Sequence, residues 1–220
     1  MLSLFAHDSI FSFLIFQSPT PNSSCILGTS MADAIILTEP EILTLVRKSQ
    51  EGDTQAFSAL YDNFFPQVYR YAAFRFDREM AEDLVADIFL KVWQKLHTYS
   101  ERKGVPFAAW LFRIARYEVI DAYRSKRETV EVPEELHDPD EMNRADTGAK
   151  RADVLKMVRD AMDRLPRRYR DILQLSYMAD LPHSEIARTL NMREGAVRVL
   201  KFRALEKLEE LLPPEAHGML

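Results

Sequence analysis

The sequence contains a single cysteine, Cys25, among 220 residues. One thiol excludes an internal disulfide and a zinc site built from several cysteines. The five histidines are scattered along the chain and lack the spacing of metal ligands. We therefore expect no metal and no cofactor, and we predict a reducing, cytoplasmic compartment.

Glycine is also scarce, with six residues in the whole chain. These glycines do not form the loop that cradles phosphate groups in nucleotide-binding enzymes. Together with the scattered histidines, this leaves no arrangement of side chains typical of catalysis. The sequence therefore predicts a protein that is not an enzyme.

A long apolar run is missing as well. The apolar stretch at residues 10–16 is too short for a spanning helix, which needs roughly 20 residues. Asp8 precedes it, and neither a basic segment nor a cleavage site accompanies it, so it does not resemble a signal peptide. We expect no membrane insertion. We interpret residues 1–38 as a disordered or mis-assigned extension, with Met31 as the expected true start.

The formal net charge of -5 is unusual for a protein that contacts DNA along its whole length. The acidic residues are concentrated, however, in a segment that also contains Pro133, Pro139 and few apolar residues. Such a segment buries too little apolar surface to fold. We interpret residues 128–148 as a flexible acidic linker.

Apolar residues on both sides of this linker repeat at helical spacing, and no alternating, strand-like run occurs. The sequence therefore predicts an all-α protein with two small helical domains, residues 39–127 and 149–213, and a tail at 214–220. Asp53 and Asp77 are expected to cap helices. Because the tail is short, we expect no added sensing domain after Pro214.

The strongest local signal is a pair of predicted helices, 183–190 and 194–212, joined by a short turn at Asn191. This arrangement is typical of a helix-turn-helix, whose second helix enters the major groove of DNA. Asn191 suits the left-handed turn, and Ala187 and Gly195 are small enough for close helix contact. The alternative is a plain helical hairpin with a solvated basic face.

Two further patterns lie in the first domain. The helix at 107–127 alternates aromatic and basic side chains, with Arg113, Arg116 and Arg124 predicted to point outward, and this pattern is typical of single-stranded DNA binding. The helix before it carries an acidic and aromatic surface that includes Asp83, Asp87 and Phe89. A basic partner would relieve the repulsion between these two carboxylates, which are one turn apart. The alternatives are that the rings belong to the core and that the acidic face is only solvated.

These segments resemble a known family. Residues 81–93 and 110–116, with Asp121 and Arg124, resemble region two of extracytoplasmic-function (ECF) sigma factors. Residues 165–169, 185–187 and 194–200 resemble region four of the same family in the same order. The sequence departs from the family at Tyr117, where Asn is frequent, at Asn191, where Gly is common, and at Arg193, where a capping Ser is common.

The resemblance implies a sigma factor that binds core RNA polymerase and promoter DNA and is controlled by an anti-sigma factor. The first region would bind polymerase through Glu82, Asp83, Asp87, Phe89, Lys91, Trp93 and Gln94. It would melt and hold the minus-ten element through Tyr99, Ser100, Phe107, Trp110, Arg113, Arg116, Tyr117 and Arg124. The second region would read the minus-thirty-five element through Arg193, Glu194, Gly195, Ala196, Arg198, Val199, Lys201, Phe202 and Arg203.

The same resemblance implies that the acidic linker threads toward the active-site channel of the polymerase. The lack of a longer N-terminal domain suggests the small ECF type and not a housekeeping sigma factor. Two alternatives remain open at this stage. One is a stand-alone helix-turn-helix transcriptional regulator, and the other is a module that binds polymerase but no promoter.

Overall fold

The computed structural model describes residues 37–101, 104–129 and 146–213, and in these ranges the chain forms helices and turns without a strand. This confirms the all-α prediction. The predicted extension at 1–38 lies almost wholly outside the described residues, as does the tail at 214–220. The start expected at Met31 lies there too.

Four helices form the first group. They are α1 (Glu39–Gln50), α2 (Thr54–Ala73), α3 (Arg78–Lys95) and α4 (Phe107–Thr129), with a short 3-10 turn at Leu96–Thr98 after α3. The predicted caps are confirmed, because Asp53 accepts hydrogen bonds from the backbone N–H groups of Gln55 and Ala56, and Asp77 accepts one from that of Met80.

The second group begins with α5 (Asp146–Arg164) and α6 (Arg167–Leu173), and α6 continues into a π-helical turn at Gln174–Met178. It ends with α7 (His183–Leu190) and α8 (Glu194–Leu211). Pro166 stands directly before α6, where its missing N–H group leaves no helical hydrogen bond unmade.

The helices at the linker extend further than predicted. Helix α4 continues to Thr129 and α5 begins at Asp146, so the predicted linker at 128–148 loses residues at both ends. Helical periodicity fades gradually at such ends, and sequence patterns place helix boundaries only to within a few residues. Most of the linker, residues 130–145, lies outside the described part of the chain.

The two groups of helices pack against each other. Their buried apolar side chains form one continuous cluster that includes Ile88 and Leu111 from the first group and Ile172 and Ile186 from the second. Polar contacts also cross the boundary, because Arg70 Nε donates to the carbonyl oxygen of Met178 at 3.2 Å. The two predicted domains are therefore in contact, a feature that the sequence did not predict.

The cap of α3 provides a test of this fold. Asp77 accepts a hydrogen bond at its helix N-terminus and lies 3.5 Å from the Lys126 amino group. We expect Asp77→Ala to lower the free energy of unfolding by about 1 kcal/mol, because an orphan N–H group loses its partner. Urea unfolding measures the change. The exposed Asp62→Ala is the control, and equal stability of the two variants would contradict the capping role.

Candidate nucleic-acid interface

Helices α7 and α8 form the predicted helix-turn-helix. Asn191 joins them with a φ of 54°, in the left-handed region, which confirms its predicted conformation. The Met192 N–H group then donates to the carbonyl oxygen of Ala187 at 2.8 Å and closes the turn. Buried Ile186 and Ala187 on α7 and Val197 on α8 hold the two helices together. The turn therefore sets the direction of α8.

Helix α8 buries one face and exposes the other. Val197, Ala204 and Leu208 are buried. The opposite face carries the side chains predicted to read duplex DNA, and two of them, Val199 and Phe202, are each 50% exposed although they are apolar. The remaining predicted residues are exposed, with Lys201 half-buried: Arg193, Glu194, Gly195, Ala196, Arg198, Lys201 and Arg203.

Basic groups dominate the electrostatics around this face. Burial, and then the positive charges of Lys201 and Arg198, lower the pKa of His183 at the start of α7. The Lys201 amino group lies 4.3 Å from the centre of the Tyr177 ring, which fixes its position. Arg198 forms an exposed ion pair with Glu194 one turn before it, at 2.5 Å. Exposed ion pairs of this kind are weak, so Arg198 can exchange Glu194 for a phosphate group.

The prediction for Gly195 is corrected. Its small size was expected to allow close contact between α7 and α8, but a Cβ atom at this position would have no neighbour within 4 Å. Gly195 lies on the exposed side of the first turn of α8. Ala187, in contrast, is buried as predicted. The close approach of the two helices therefore depends on Ala187, while the open space at Gly195 leaves room for a partner.

Helix α3 presents the predicted acidic face. Its buried stripe includes Leu84, Val85 and Ile88, which recur at helical spacing. The other faces carry the predicted polymerase-binding side chains, which are exposed except for half-buried Lys91: Glu82, Asp83, Asp87, Lys91, Trp93 and Gln94. Arg78 pairs with Glu82, and Lys91 pairs with Glu118 of α4.

Two apolar residues of α3 differ in exposure from what the sequence indicated. Phe89 was predicted on the surface, but it is buried, and its ring centre lies 4.5 Å from that of Tyr61. Leu90, which was not predicted, is 54% exposed, and Trp93 is 37% exposed. The sequence signal for Leu90 was its position outside the buried stripe of α3. The large apolar residues exposed on α3 are therefore Leu90 and Trp93.

The aromatic residues before and within α4 divide into buried and exposed sets. Tyr99 and Phe107 are buried, and Tyr99 donates its hydroxyl proton to the Val105 carbonyl oxygen at 3.0 Å. Trp110 is half-buried and lies 5.4 Å from the Tyr99 ring, while Tyr117 is 54% exposed. Both rings pack in the core, and a contact of Tyr99 or Phe107 with the minus-ten element stays a prediction.

The sequence suggested that Arg113 and Arg116 of α4 point outward. In the structure both side chains are instead held by contacts within the protein. Arg116 donates two hydrogen bonds to one carboxylate oxygen of Asp171 on α6, at 2.5 and 3.0 Å. Arg113 donates to the carbonyl oxygen of Arg188 on α7 at 2.6 Å. Arg124 is exposed, and Ser100 is half-exposed. Both arginines contact the second group of helices, whose position the sequence patterns did not predict.

A polar cleft of about 460 Å³ lies where α4 faces α6 and the turn of the helix-turn-helix. Arg113, Arg116 and Arg168 line it with Tyr117, and Asp171 is the acidic residue in its wall. The cleft therefore carries an excess of positive charge. This chemistry fits a nucleic-acid backbone better than an apolar ligand.

Within residues 37–101, 104–129 and 146–213, no three His, Cys, Asp or Glu side chains are grouped as metal ligands. None of the helices described is both long and apolar enough to cross a membrane.

Comparison with known proteins identifies two matched segments. Residues 60–129 match the Sigma-70 region 2 family model, and residues 155–208 match that of Sigma-70, region 4. The chain is 33% identical over 178 residues to the ECF RNA polymerase sigma factor BldN of Streptomyces coelicolor, covering 80% of this chain and 67% of the relative.

Two solved structures share the fold. CnrH, in complex with the cytosolic domain of CnrY, has a TM-score of 0.60 and 24% identity, over 78% of this chain and 96% of CnrH. The sigma factor RpoE of Bartonella quintana, in complex with the anti-sigma factor NepR, has a TM-score of 0.53 and 23% identity, over 72% of this chain and 97% of RpoE.

One carboxylate at this interface titrates near neutrality. Burial first, and then the charge of Glu39, raise the pKa of Glu185 on α7 to about 7. A raised carboxyl pKa means that the folded protein holds a proton that the unfolded chain releases. We therefore expect the free energy of unfolding to fall as the pH rises from about 4.5 to 7.

The test is urea unfolding of the wild type and Glu185→Gln at pH values below and above this window. The variant lacks the titrating group. Above this pH window we therefore expect its free energy of unfolding to be higher than that of the wild type by on the order of 1 kcal/mol, after allowance for solvent screening. Glu206→Gln, at an exposed position on α8, is the control. An unchanged pH dependence in Glu185→Gln would show that Glu185 is not responsible.

Proposed function

The chain belongs to the ECF family of RNA polymerase sigma factors, and from this premise we propose how its surfaces direct transcription initiation. The proposal assigns polymerase binding to the exposed face of α3, minus-ten recognition to α4 and minus-thirty-five recognition to α8. It treats the protein as a binding factor without a catalytic step of its own, acting in the cytoplasm, where its polymerase is.

The face of α3 is suited to a basic partner with some apolar surface. Asp83 and Asp87 are one turn apart and exposed. Leu90 and Trp93 lie on the same helix and expose apolar area that the fold itself does not cover. An interface of this composition combines charge complementarity with a small apolar centre, which gives both specificity and affinity. The proposed partner is core RNA polymerase.

The exposed face of α8 is suited to the major groove. Arg198 and Arg203 provide donors for phosphate groups and base edges, and Val199 and Phe202 provide apolar contacts of the kind that thymine methyl groups accept. The open space at Gly195 lets the first turn approach the DNA closely. These features support duplex recognition of the minus-thirty-five element by residues 193–203.

Helix α4 is suited to an unpaired strand. Tyr117 offers an exposed ring for base stacking, and Arg113 and Arg116 lie beside it in a positively charged cleft. Stacking rings next to arginines are the usual composition of single-strand sites. The buried rings of Tyr99 and Phe107 pack against the Trp110 ring and hold it in position. We assign minus-ten contacts to Trp110, Arg113, Arg116, Tyr117 and Arg124.

The observation that carries this proposal is the presence of two exposed surfaces of opposite charge on separate helices. The acidic face of α3 with Leu90 and Trp93 has no use in a regulator that binds duplex DNA alone. A factor that binds polymerase and promoter needs both surfaces. This favours the sigma factor over the stand-alone helix-turn-helix regulator.

Run-off transcription from a genomic promoter library tests the assignment. We expect specific transcripts that need both core polymerase and this protein. Asp83→Arg should abolish them because it reverses a charge at the proposed polymerase contact. Arg198→Ala should weaken promoter use by roughly five- to a hundred-fold, as expected for the loss of an arginine contact to DNA.

Matched controls separate these effects from general changes in charge. Asp62→Arg reverses an exposed acid on α2, and Lys207→Ala removes a cation from α8 nine residues beyond Arg198, on the opposite side of the helix. Both should transcribe normally. Duplex binding without any dependence on polymerase would contradict the proposal and support the stand-alone regulator.

The proposal includes control by an anti-sigma factor, as the RpoE structure, solved with the anti-sigma factor NepR, suggests. We expect affinity purification of the tagged protein from its native cells to retain one such partner. Adding the purified partner back should suppress run-off transcription. Repeated purification without a suppressing partner would contradict this part of the proposal.

A further inference from the structure

The last residue of α1, Gln50, holds the loop that joins α3 to α4, of which the structure describes residues 99–101 and 104–106. Gln50 Nε2 donates to the carbonyl oxygen of Leu96 at 2.9 Å and to that of Tyr99 at 3.0 Å. Leu96 follows the last residue of α3, where carbonyl groups lack partners within the helix. One amide group therefore ties the end of α3 to the first residue of the loop.

The two described ends of the loop are tied to each other. The Tyr99 hydroxyl donates to the Val105 carbonyl oxygen at 3.0 Å, and the Gly104 N–H group donates to the Glu101 carbonyl oxygen at 2.9 Å. Burial, and then the charges of Glu39 and Glu101, raise the pKa of Tyr99 to about 12, so its hydroxyl keeps the proton that it donates. A change at the first end of the loop is therefore passed to the second.

Two further side chains of α1 contact the same segment. Arg47 forms an ion pair with Glu101 at 2.5 Å, and both side chains are largely exposed. The carboxylate of Glu39 accepts a hydrogen bond from the N–H group of Phe107, the first residue of α4, at 3.4 Å. Exposed ion pairs are weak and the bond to Phe107 is long, so the two bonds of Gln50 are the main connection between α1 and the loop.

The bond from Gln50 to the Tyr99 carbonyl group fixes the direction of the next residue, Ser100. The peptide bonds of the described residues are trans, and in a planar trans peptide the N–H group points opposite to the carbonyl group. The Ser100 N–H group is therefore directed away from Gln50. Ser100 is half-exposed, and the half-buried Trp110 ring lies 5.4 Å from the Tyr99 ring. Both Ser100 and Trp110 belong to the residues predicted to contact the minus-ten element.

Resting on the proposed function, we infer that Gln50 is a positioning residue for the minus-ten element, which acts through Tyr99 and Ser100 and sets the preference among bases beside Trp110. Without its amide group, the Tyr99 carbonyl group, and with it the Ser100 peptide, is free to turn. Helix α1 thereby becomes part of the promoter-reading surface, although no residue of α1 was predicted to belong to it. The exposed faces of α3 and α8 do not depend on this contact.

Two substitutions at position 50 separate the donors from the bulk of the side chain. Gln50→Met keeps the length of the side chain but removes both N–H donors. Gln50→Lys restores them, because an ammonium group can donate to both carbonyl oxygens and is favourable at the end of a helix. Gln50 lies in an exposed position at the end of α1, so both variants leave the core in place. Lys48→Met, at another exposed position of α1, is the control.

The test uses holoenzyme assembled from core polymerase and each variant. The probe is a fluorescein-labelled single-stranded oligonucleotide with the minus-ten segment of the strongest promoter found by run-off transcription, compared with the same strand carrying single-base changes. Fluorescence anisotropy gives each affinity. The readout is the ratio between the original and the changed strand, because a change in net charge alters the affinity for every strand alike.

We expect Gln50→Met to lower this ratio roughly three- to ten-fold at the base positions that the loop contacts, as for the loss of one hydrogen-bonded contact. Gln50→Lys and Lys48→Met should keep the ratio of the wild type. An unchanged ratio in Gln50→Met, or an equal loss of affinity for every strand, would overturn the inference. So would a ratio in Gln50→Lys as low as that in Gln50→Met.

The ion pair on α1 gives a second test that does not depend on the folding of Gln50→Met. Arg47→Glu places two carboxylates together, and adding Glu101→Arg restores opposite charges. We expect the ratio to fall roughly two-fold in the single variant and to recover in the double variant. The affinity of each variant for core polymerase should equal that of the wild type, and circular dichroism verifies the helical content.

The outcome is separable from that of the proposed function. A wild-type holoenzyme that transcribes and prefers the original strand, combined with an unchanged ratio in Gln50→Met, would leave the sigma factor intact and remove the positioning role of Gln50. A wild-type holoenzyme without any preference among the strands would contradict both the minus-ten assignment and the inference.

Discussion

The ion pair between Arg116 and Asp171 is the interaction on which the arrangement of this protein depends. It joins α4 to α6 across the boundary between two regions that family models match separately. Removing either partner alone leaves a buried charge unpaired, which is far more costly than losing a surface ion pair. The two charges are therefore either paired with each other or exposed together. This requirement makes the contact between the regions an all-or-none feature.

Each region, in contrast, is held by local rules and by its own apolar stripe. Asp53 and Asp77 accept hydrogen bonds from the first N–H groups of α2 and α3, and Asn191 closes the turn before α8 in a left-handed conformation. These caps and this turn involve only a few neighbouring residues. They therefore determine which faces of α3 and α8 are exposed without help from the contact between the regions. The proposed polymerase and duplex surfaces therefore survive separation of the two groups.

The carboxylate of Glu185 links the same boundary to pH. It lies on α7, which packs along α4, and Glu39 at the start of α1 contributes to its raised pKa. A neutral Glu185 is tolerated in this partly buried position, whereas the ionised form loses hydration there. The boundary between the two groups thus contains the Arg116–Asp171 ion pair, in which both groups are charged, and the Glu185 carboxyl group, which is more stable there in its neutral form.

Sequence patterns predicted the features that depend on short-range spacing. The caps at Asp53 and Asp77, the helix that starts at residue 107 and the turn at Asn191 all follow from residues within a few turns of one another. The errors have a common physical origin. Phe89 was placed on the surface, although the Tyr61 ring from another helix covers it, and Gly195 was placed at a helix contact that the packing of α7 and α8 does not make there.

The sequence by itself therefore determined the all-helical class, the two regions, their caps and turn, and the family. Only the tertiary structure decided that the regions pack together, that Arg113 and Arg116 face Arg188 and Asp171, and that Leu90 remains exposed. These facts depend on contacts between residues more than fifty positions apart, as in the pair Arg116 and Asp171. Helical periodicity indicates which face of a helix is buried, but it does not identify the partner that covers it.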